Sequence, residues 1–136
     1  MAKRTMTWGY SPFKAKLKVS EFEKADVSCK AQKLIDEYLK PTHVKPPPRN
    51  PQFNYITDIF TKWHGSYFYF CAKYACPFSN AISPTFEHGF ARMRYLGSGR
   101  FSLAYLRHND QWNEIYPSLS EEECLESIRD EPHFIP

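Results

Sequence analysis

The sequence predicts an α+β fold in which a five-stranded antiparallel sheet carries an N-terminal and a C-terminal helix on one face. Ser-x-x-Glu motifs mark helix starts near both ends of the chain, at Ser20 and at Ser118 or Ser120. Between them, apolar and polar residues alternate with a period of two, which is typical of half-buried strands. A length of 136 residues suits one domain with one core. We therefore expect an extended basic arm over residues 1–18 and a single α+β domain over residues 19–136.

The first helix is predicted from Ser20 to Lys40. Ser20 and Glu23 form a capping box, in which each side chain accepts a hydrogen bond from the other residue's backbone amide. Pro41 should end the helix, because proline lacks an amide donor and its ring clashes with the preceding turn. The predicted apolar stripe of this helix consists of Phe22, Ala25, Cys29, Leu34, Ile35 and Tyr38.

A proline-rich connector, residues 45–49, leads to the first hairpin. Strands are predicted over residues 54–63 and 66–74, with His64 and Gly65 in a two-residue turn between them. This pairing turns one set of side chains toward the helices, namely Tyr55, Thr57, Ile59, Phe68, Phe70, Ala72 and Tyr74. The opposite set consists of Ile56, Asp58, Phe60, Lys62, Tyr67, Tyr69, Cys71 and Lys73.

A second hairpin and a fifth strand complete the predicted sheet. Strands are expected over residues 86–96, 100–108 and 111–116, separated by turns at 97–99 and 109–110, where glycine, asparagine and aspartate cluster. On the helix side this pairing collects Met93, Tyr95, Phe101, Leu103, Tyr105 and Trp112. The other side collects Arg92, Arg94, Ser102, Ala104, His108 and Gln111.

A short acidic helix is predicted at the C-terminal end. Its candidate caps, Ser118 and Ser120, are each followed three residues later by a glutamate, and acidic residues there complement the positive end of the helix dipole. The helix should end near Arg129, because Pro132 follows.

The composition is typical of a protein that folds in water. Aromatic residues make up 17% of the chain, far more than a disordered segment carries. No apolar stretch approaches the roughly 20 residues that span a bilayer, and no apolar signal segment follows Met1. We therefore expect a cytoplasmic protein without a membrane partner, whose thiols at Cys29, Cys71, Cys76 and Cys124 are reduced, Cys29 and Cys124 lying in the core.

Charge is distributed unevenly along the chain, although the net charge is only +3. Residues 1–50 carry 11 basic and 5 acidic side chains, whereas residues 101–136 carry 2 basic and 8 acidic ones. A basic first half suits phosphate or an acidic partner, and the acidic end can equally dock on that half or remain solvated.

The sequence carries none of the common catalytic signatures. It has no glycine-rich phosphate loop, no His-Glu-x-x-His, no Gly-x-Ser-x-Gly and no four-ligand zinc spacing. Cys71 and Cys76, with His64, His88 and His108 available, form the only conceivable metal set, and either cysteine with His88 or His108 is the candidate Cys/His pair. Because a Cys-x4-Cys spacing alone is weak evidence, we expect no catalytic residue, no cofactor and no metal.

The sheet face turned away from the helices is the candidate functional surface. Its candidate binding residues are Tyr67, Tyr69, Lys73, Arg92, Arg94 and His108. We favour a non-enzymatic interaction protein that forms a homo-oligomer through this face, because tyrosine and arginine are enriched at interfaces. An alternative is single-stranded nucleic acid, bound by this face and the basic arm, since rings stack on bases while cations follow the backbone. A third hypothesis is a small enzyme or ligand-binding protein with a pocket between helices and sheet.

The C-terminal third resembles a family of small bacterial proteins known only as a domain of unknown function. The resemblance spans residues 86–134. It is carried by Phe90-Ala91-Arg92-Met93-Arg94-Tyr95, Phe101-Ser102-Leu103-Ala104-Tyr105, Arg107-His108, Trp112, Tyr116 and the closing residues Asp130 to Phe134. It implies the order strand, strand, strand, helix, and a setting in bacterial genomes and mobile gene cassettes, without implying an activity.

Overall fold

The computed structural model describes residues 18–136 and confirms the predicted α+β class. The predicted arm lies, apart from Lys18, outside the described residues. The elements are α1 (Glu21–Leu34), a π-helical turn (Ile35–Leu39), α2 (Lys40–His43), β1 (Tyr55–His64), β2 (Tyr67–Ala75), β3 (Thr85–Gly97), β4 (Arg100–Leu106), β5 (Trp112–Ser120), α3 (Glu121–Asp130) and a 3-10 turn (Pro132–Phe134). The strands follow chain order across the sheet, and each neighbouring pair is antiparallel.

The core lies between one face of the sheet and the helices α1 and α3. Burying a large apolar side chain contributes roughly 1.5–3 kcal/mol, so covering this face stabilises the sheet. The largest fully buried side chains are Phe68, Phe70, Phe134, Ile35, Leu39, Ile59, Met93, Leu103, Ile128 and Cys124.

Helix α1 begins at the predicted capping box, but of the predicted apolar stripe only Ile35 is fully buried. The Ser20 hydroxyl accepts a hydrogen bond from the Glu23 amide, and the Glu23 carboxylate accepts one from the Ser20 amide. Phe22 is 81% exposed and Cys29 is also exposed, so their predicted burial is wrong. The buried residues recur every fourth position, as Val27, Ala31, Ile35 and Leu39. The Trp63 indole fixes this rotation, since it donates a hydrogen bond to the Ser28 hydroxyl at 3.1 Å.

The first helix does not end before Pro41 as predicted, but continues to His43 through the π-helical turn. The Lys40 amide donates to the Ile35 carbonyl, five residues earlier. Such a turn absorbs one extra residue, so a proline without an amide donor can follow it in helical conformation. The helix therefore ends at His43 and not at Lys40, where the sequence predicted its end.

The first hairpin has the predicted faces but a different register. Trp63 lies opposite Phe68, so the turn is made by Gly65 and Ser66 instead of His64 and Gly65. The shift is even, and it therefore leaves the faces unchanged. Beyond the irregularity between Ile56 and Asp58, however, Ile56 packs against the core, opposite to the prediction.

The C-terminal helix selects Ser120 as its cap, with Glu123 completing the capping box. Cys124 is buried in the core as predicted, and burial raises the pKa of its thiol to about 12. Beyond the helix, the Tyr116 hydroxyl donates to the Glu131 carboxylate at 2.7 Å, and Phe134 is buried. Within the described residues, no helix is both long and apolar enough to cross a membrane.

An ion pair joins α1 and α3, and one oxygen of its carboxylate is buried away from water. Lys30 Nζ of α1 lies 3.2 Å from Glu121 Oε1 of α3, while Glu121 Oε2 is buried without a hydrogen bond. The pair raises the pKa of Lys30. The pKa of Glu121 is also raised, because burial outweighs the attraction of Lys30. The two partners respond differently because the Lys30 side chain is 44% exposed and Glu121 only 13%. Burial therefore disfavours the charged form of Glu121 strongly, while Lys30 keeps its charge in contact with water.

Glu121→Gln is expected to raise the free energy of unfolding by about 1 kcal/mol at neutral pH, because burying a neutral amide costs less than burying a carboxylate whose second oxygen has no partner. A raised folded-state pKa means that stability is complete below the unfolded pKa and falls as pH rises through the folded one. The gain should therefore disappear at acidic pH, where Glu121 is protonated. Urea denaturation at neutral and at acidic pH measures the difference in the free energy of unfolding between the variant and the wild type.

Glu122→Gln is the matched control, because Glu122 is the exposed neighbour in the same helical turn. It removes the same charge without relieving any burial. A Glu121→Gln protein that is less stable than wild type at neutral pH would contradict the prediction.

Candidate functional site: the open face of the sheet

The sheet face away from the helices is covered by no element of residues 18–136, and we call it the open face. Its centre is β3, where Arg92 lies opposite Ala104 and Arg94 opposite Ser102, and all four residues lie on the predicted face. The open face includes Phe60, Lys62, Tyr67, Tyr69, Cys71, Lys73, Glu87, Gly89, Arg92, Arg94, Ser102, Ala104, Leu106, Trp112 and Glu114.

A register shift between β2 and β3 determines which residues of β3 lie on the open face. Phe70 pairs with Ala91 and Cys71 pairs with Gly89, so one residue of β3, Phe90, is extra. This β-bulge buries the Phe90 ring in the core, 6.1 Å from the Phe70 ring. Gly89 consequently occupies the open face, where a side chain would meet Trp112.

Trp112 lies on the open face, whereas the sequence predicted it on the helix side. The predicted turn at Asn109 and Asp110 is a three-residue loop, residues 108–110, in which Asp110 has a positive φ of 62°. One additional loop residue reverses the faces of the following strand. Trp112 therefore pairs with Leu106 and packs over Gly89, and a Cβ on Gly89 would lie 3.3 Å from the indole.

The Arg92 guanidinium is held between two aromatic rings on the open face. Its carbon lies 4.8 Å from the Tyr67 ring centroid and 5.0 Å from that of Trp112. Tyr69 contacts both rings, at centroid distances of 6.2 Å from Tyr67 and 5.8 Å from Trp112. Cation–π contacts of this kind contribute about 0.5–2 kcal/mol, so the four side chains form one ordered group. We call this group the arginine platform.

A depression of about 520 Å³ lies beside the arginine platform. Tyr69 and Trp112 form its aromatic wall, and Gly89 and Cys71 are among its lining residues. Its polar residues are Lys62, His64, Glu87 and Asp110. Cys71 is buried, and burial raises the pKa of its thiol, so this cysteine is not an activated nucleophile.

The predicted binding residues are brought together only in part. Tyr67, Tyr69 and Arg92 meet in the arginine platform, and Arg94 follows on the same strand and face. Lys73 lies toward the far end of the face, opposite Glu87. His108 is in the β4–β5 loop, because β4 ends at Leu106 and not at His108 as predicted.

Sequence analysis missed two residues that shape the site, Trp112 and Gly89. For Trp112 the signal was a turn sequence that fits loops of two or three residues equally well. For Gly89 the signal was a glycine inside a predicted strand, which often marks a bulge or a close approach of other atoms. Both signals were present, but neither determines the register alone.

The other candidate chemistry has little support in the described residues. Residues 18–136 bring no three His, Cys, Asp or Glu side chains into a metal-binding arrangement. A larger depression, about 1050 Å³, lies between the start of α1 and the β1–β2 turn. Its carboxylate Glu23 already caps α1 and accepts a hydrogen bond from the Tyr95 hydroxyl at 2.5 Å. These contacts lower the pKa of Glu23 and leave it poorly suited to proton transfer.

Gly89→Val is expected to displace the Trp112 indole, because even a Cβ atom at this position lies in tight contact with the ring. The measurement is the indole NH resonance of Trp112, assigned with Trp112→Phe, which should shift or broaden. Thr85→Val, at an exposed position of the same strand, is the control and should leave the resonance unchanged. An unshifted resonance in a folded Gly89→Val protein would show that the glycine does not position the ring.

Comparison with known proteins identifies the domain but assigns it no activity. The family model described as "Domain of unknown function (DUF3024)" matches residues 19–136. No curated protein and no solved structure matches the chain. The matched span contains both helices, all five strands and the open face, and it extends well beyond the C-terminal resemblance. The chain therefore belongs to the DUF3024 family.

Proposed function

We propose that this protein is a non-enzymatic binding protein whose open face binds single-stranded nucleic acid. The observation that carries the proposal is the Arg92 guanidinium held between the rings of Tyr67 and Trp112. No carboxylate of residues 18–136 lies within ion-pair distance of it. A cation that is ordered beside aromatic rings, without an acidic partner there, suits a ligand that offers phosphates and planar bases together.

The other basic residues of the open face support a polyanionic ligand. Arg94 and Lys73 are exposed and form no ion pair with residues 18–136. Lys62 approaches Glu87 only to 3.9 Å, which is longer than a hydrogen bond. Phosphates that contact such side chains release condensed counterions, which favours binding at low salt.

Self-association through the same face is the second candidate, and it has its own supporting observation. The uncovered face carries the partly buried apolar side chains Phe60, Tyr69, Leu106 and Trp112. A second copy of the chain would remove their remaining surface from water, and aromatic residues and arginine are enriched in such interfaces.

The position of the arginines favours nucleic acid over a face-to-face dimer. Arg92 and Arg94 lie on β3, the middle strand of the five. A two-fold axis through the centre of the face would set these arginines against their own copies, because a two-fold interface uses the same patch twice. Dehydrating like charges is costly unless acidic groups separate them. A polyanion meets no such penalty.

We also propose a cytoplasmic location and a bacterial source, including mobile gene cassettes. The support for the source is the resemblance of residues 86–134 alone. The support for the location is the presence of four cysteines, all free among the described residues, which suits a reducing compartment.

The test is fluorescence anisotropy of the full chain with a labelled oligothymidine of roughly 16 nucleotides, the upper range for one small domain. Affinity should fall steeply as salt is added. Trp112→Leu should weaken binding about tenfold or more, since a stacked base contributes roughly 1–3 kcal/mol. Arg92→Glu combined with Arg94→Glu should weaken it further.

The matched control is Lys33→Glu combined with Lys45→Glu, which makes the same charge change at exposed positions outside the sheet. This protein should keep most of its affinity. Equal losses in the two double variants, or salt-independent binding, would contradict the proposal. Light scattering on nucleic-acid-free protein tests the second candidate, since a dimer that Arg92→Glu with Arg94→Glu disrupts would favour self-association.

A further inference from the structure

The open face is divided into two regions of opposite charge. Arg92 and Arg94 form a basic strip on β3. The depression beside it carries two carboxylates, Glu87 and Asp110, against one lysine, Lys62. A phosphate is attracted to the strip and repelled by the acidic rim, so the two regions suit different parts of one ligand.

We infer that the depression accepts one unstacked base and prefers guanine, while the phosphates of the same strand lie along the basic strip. This inference rests on the proposed function and extends it from non-specific binding to the reading of a base. Its first support is the aromatic wall of Tyr69 and Trp112. Single-stranded bases are commonly recognised by stacking on such rings and by hydrogen bonds along their Watson–Crick edges.

The two wall rings determine how a base can lie. Their centroids are 5.8 Å apart and their planes are inclined at 61°, so the rings contact each other and leave no slot between them. A base therefore stacks on the open side of the Tyr69–Trp112 pair. The space over Gly89 is filled by the Trp112 indole, and the small residue Cys71 also lines the depression.

The polar rim matches the edge of guanine best. A carboxylate such as Glu87 only accepts hydrogen bonds, whereas the lysine Lys62 only donates them. Guanine presents two neighbouring donors, N1–H and the N2 amino group, next to the O6 acceptor. Thymine and uracil present one donor between two acceptors, so they place an acceptor against the carboxylate.

Both rim side chains are free to make these bonds. Lys62 Nζ and Glu87 Oε1 are 3.9 Å apart, too far for a hydrogen bond to each other. Each side chain is 55% exposed. The pair is thus held close enough to contact one base edge, and neither group has to break a hydrogen bond to do so.

The experiment compares oligothymidines that carry one dG, dA, dC or dI at the centre, measured by anisotropy with the full chain. A single purine in a thymidine strand avoids association between guanines. We expect the dG oligomer to bind about tenfold more tightly than the all-thymidine strand, because a good bidentate contact discriminates by roughly 1–3 kcal/mol. Inosine lacks the N2 amino group and should lose much of this gain.

Glu87→Gln should abolish the preference for dG without weakening the binding of oligothymidine, because it removes a charge that repels phosphate. Glu114→Gln is the matched control, since Glu114 is an exposed carboxylate of β5 that pairs with Ala104 outside the depression. It should retain the preference. Titration of guanosine monophosphate against uridine monophosphate, followed by the Trp112 indole resonance, gives a second measurement in which the guanine nucleotide should reach half-saturation at a concentration about tenfold lower.

The outcomes separate this inference from the proposed function. Equal affinity for all central bases, with Glu87→Gln behaving like wild type, overturns the guanine preference and leaves single-strand binding intact. A preference for dG that survives Glu87→Gln also overturns it. Failure of every oligonucleotide and of both nucleotides to bind overturns the inference and the proposed function together.

Discussion

The bulge between β2 and β3 is the constraint on which the open face depends. With a regular strand, alternation would place the Phe90 ring on the open face and Gly89 in the core. The extra residue instead buries Phe90 beside Phe70 and leaves a glycine beneath the indole of Trp112. Trp112 then supplies one of the two rings that hold Arg92. The one extra residue of β3 thus places Phe90 in the core and Gly89 under the indole of the open face.

The fold could be predicted because its signals are local. Capping motifs, two-residue periodicity and glycine-rich turns gave both helices, all five strands, and the correct face for Tyr67, Tyr69 and Arg92. The side of Trp112 could not be predicted, because one residue of loop length reverses a strand and the turn sequence fits either length. The stripe of α1 was wrong for a different reason: Trp63 fixes the rotation of the helix through contacts distant in sequence.

The open face is organised before any ligand binds. Ser102 and Ala104 lie on it, yet they are only 3% and 2% exposed. Arg92 is fixed by two rings, and Trp112 rests on the backbone of Gly89. Side chains that are already ordered lose little conformational freedom on binding. Such a surface can use its stacking and charge for affinity.

The central claim is that the open face contacts nucleic acid and that the helices on the opposite face do not. It is tested most directly by titrating unlabelled oligothymidine into the isotope-labelled full chain and following its amide and indole resonances. We predict that shifts concentrate on β2, β3 and the Trp112 indole, while α1 and α3 on the opposite face remain unperturbed. Shifts confined to the helices, or no shifts at saturating oligonucleotide, would contradict the claim.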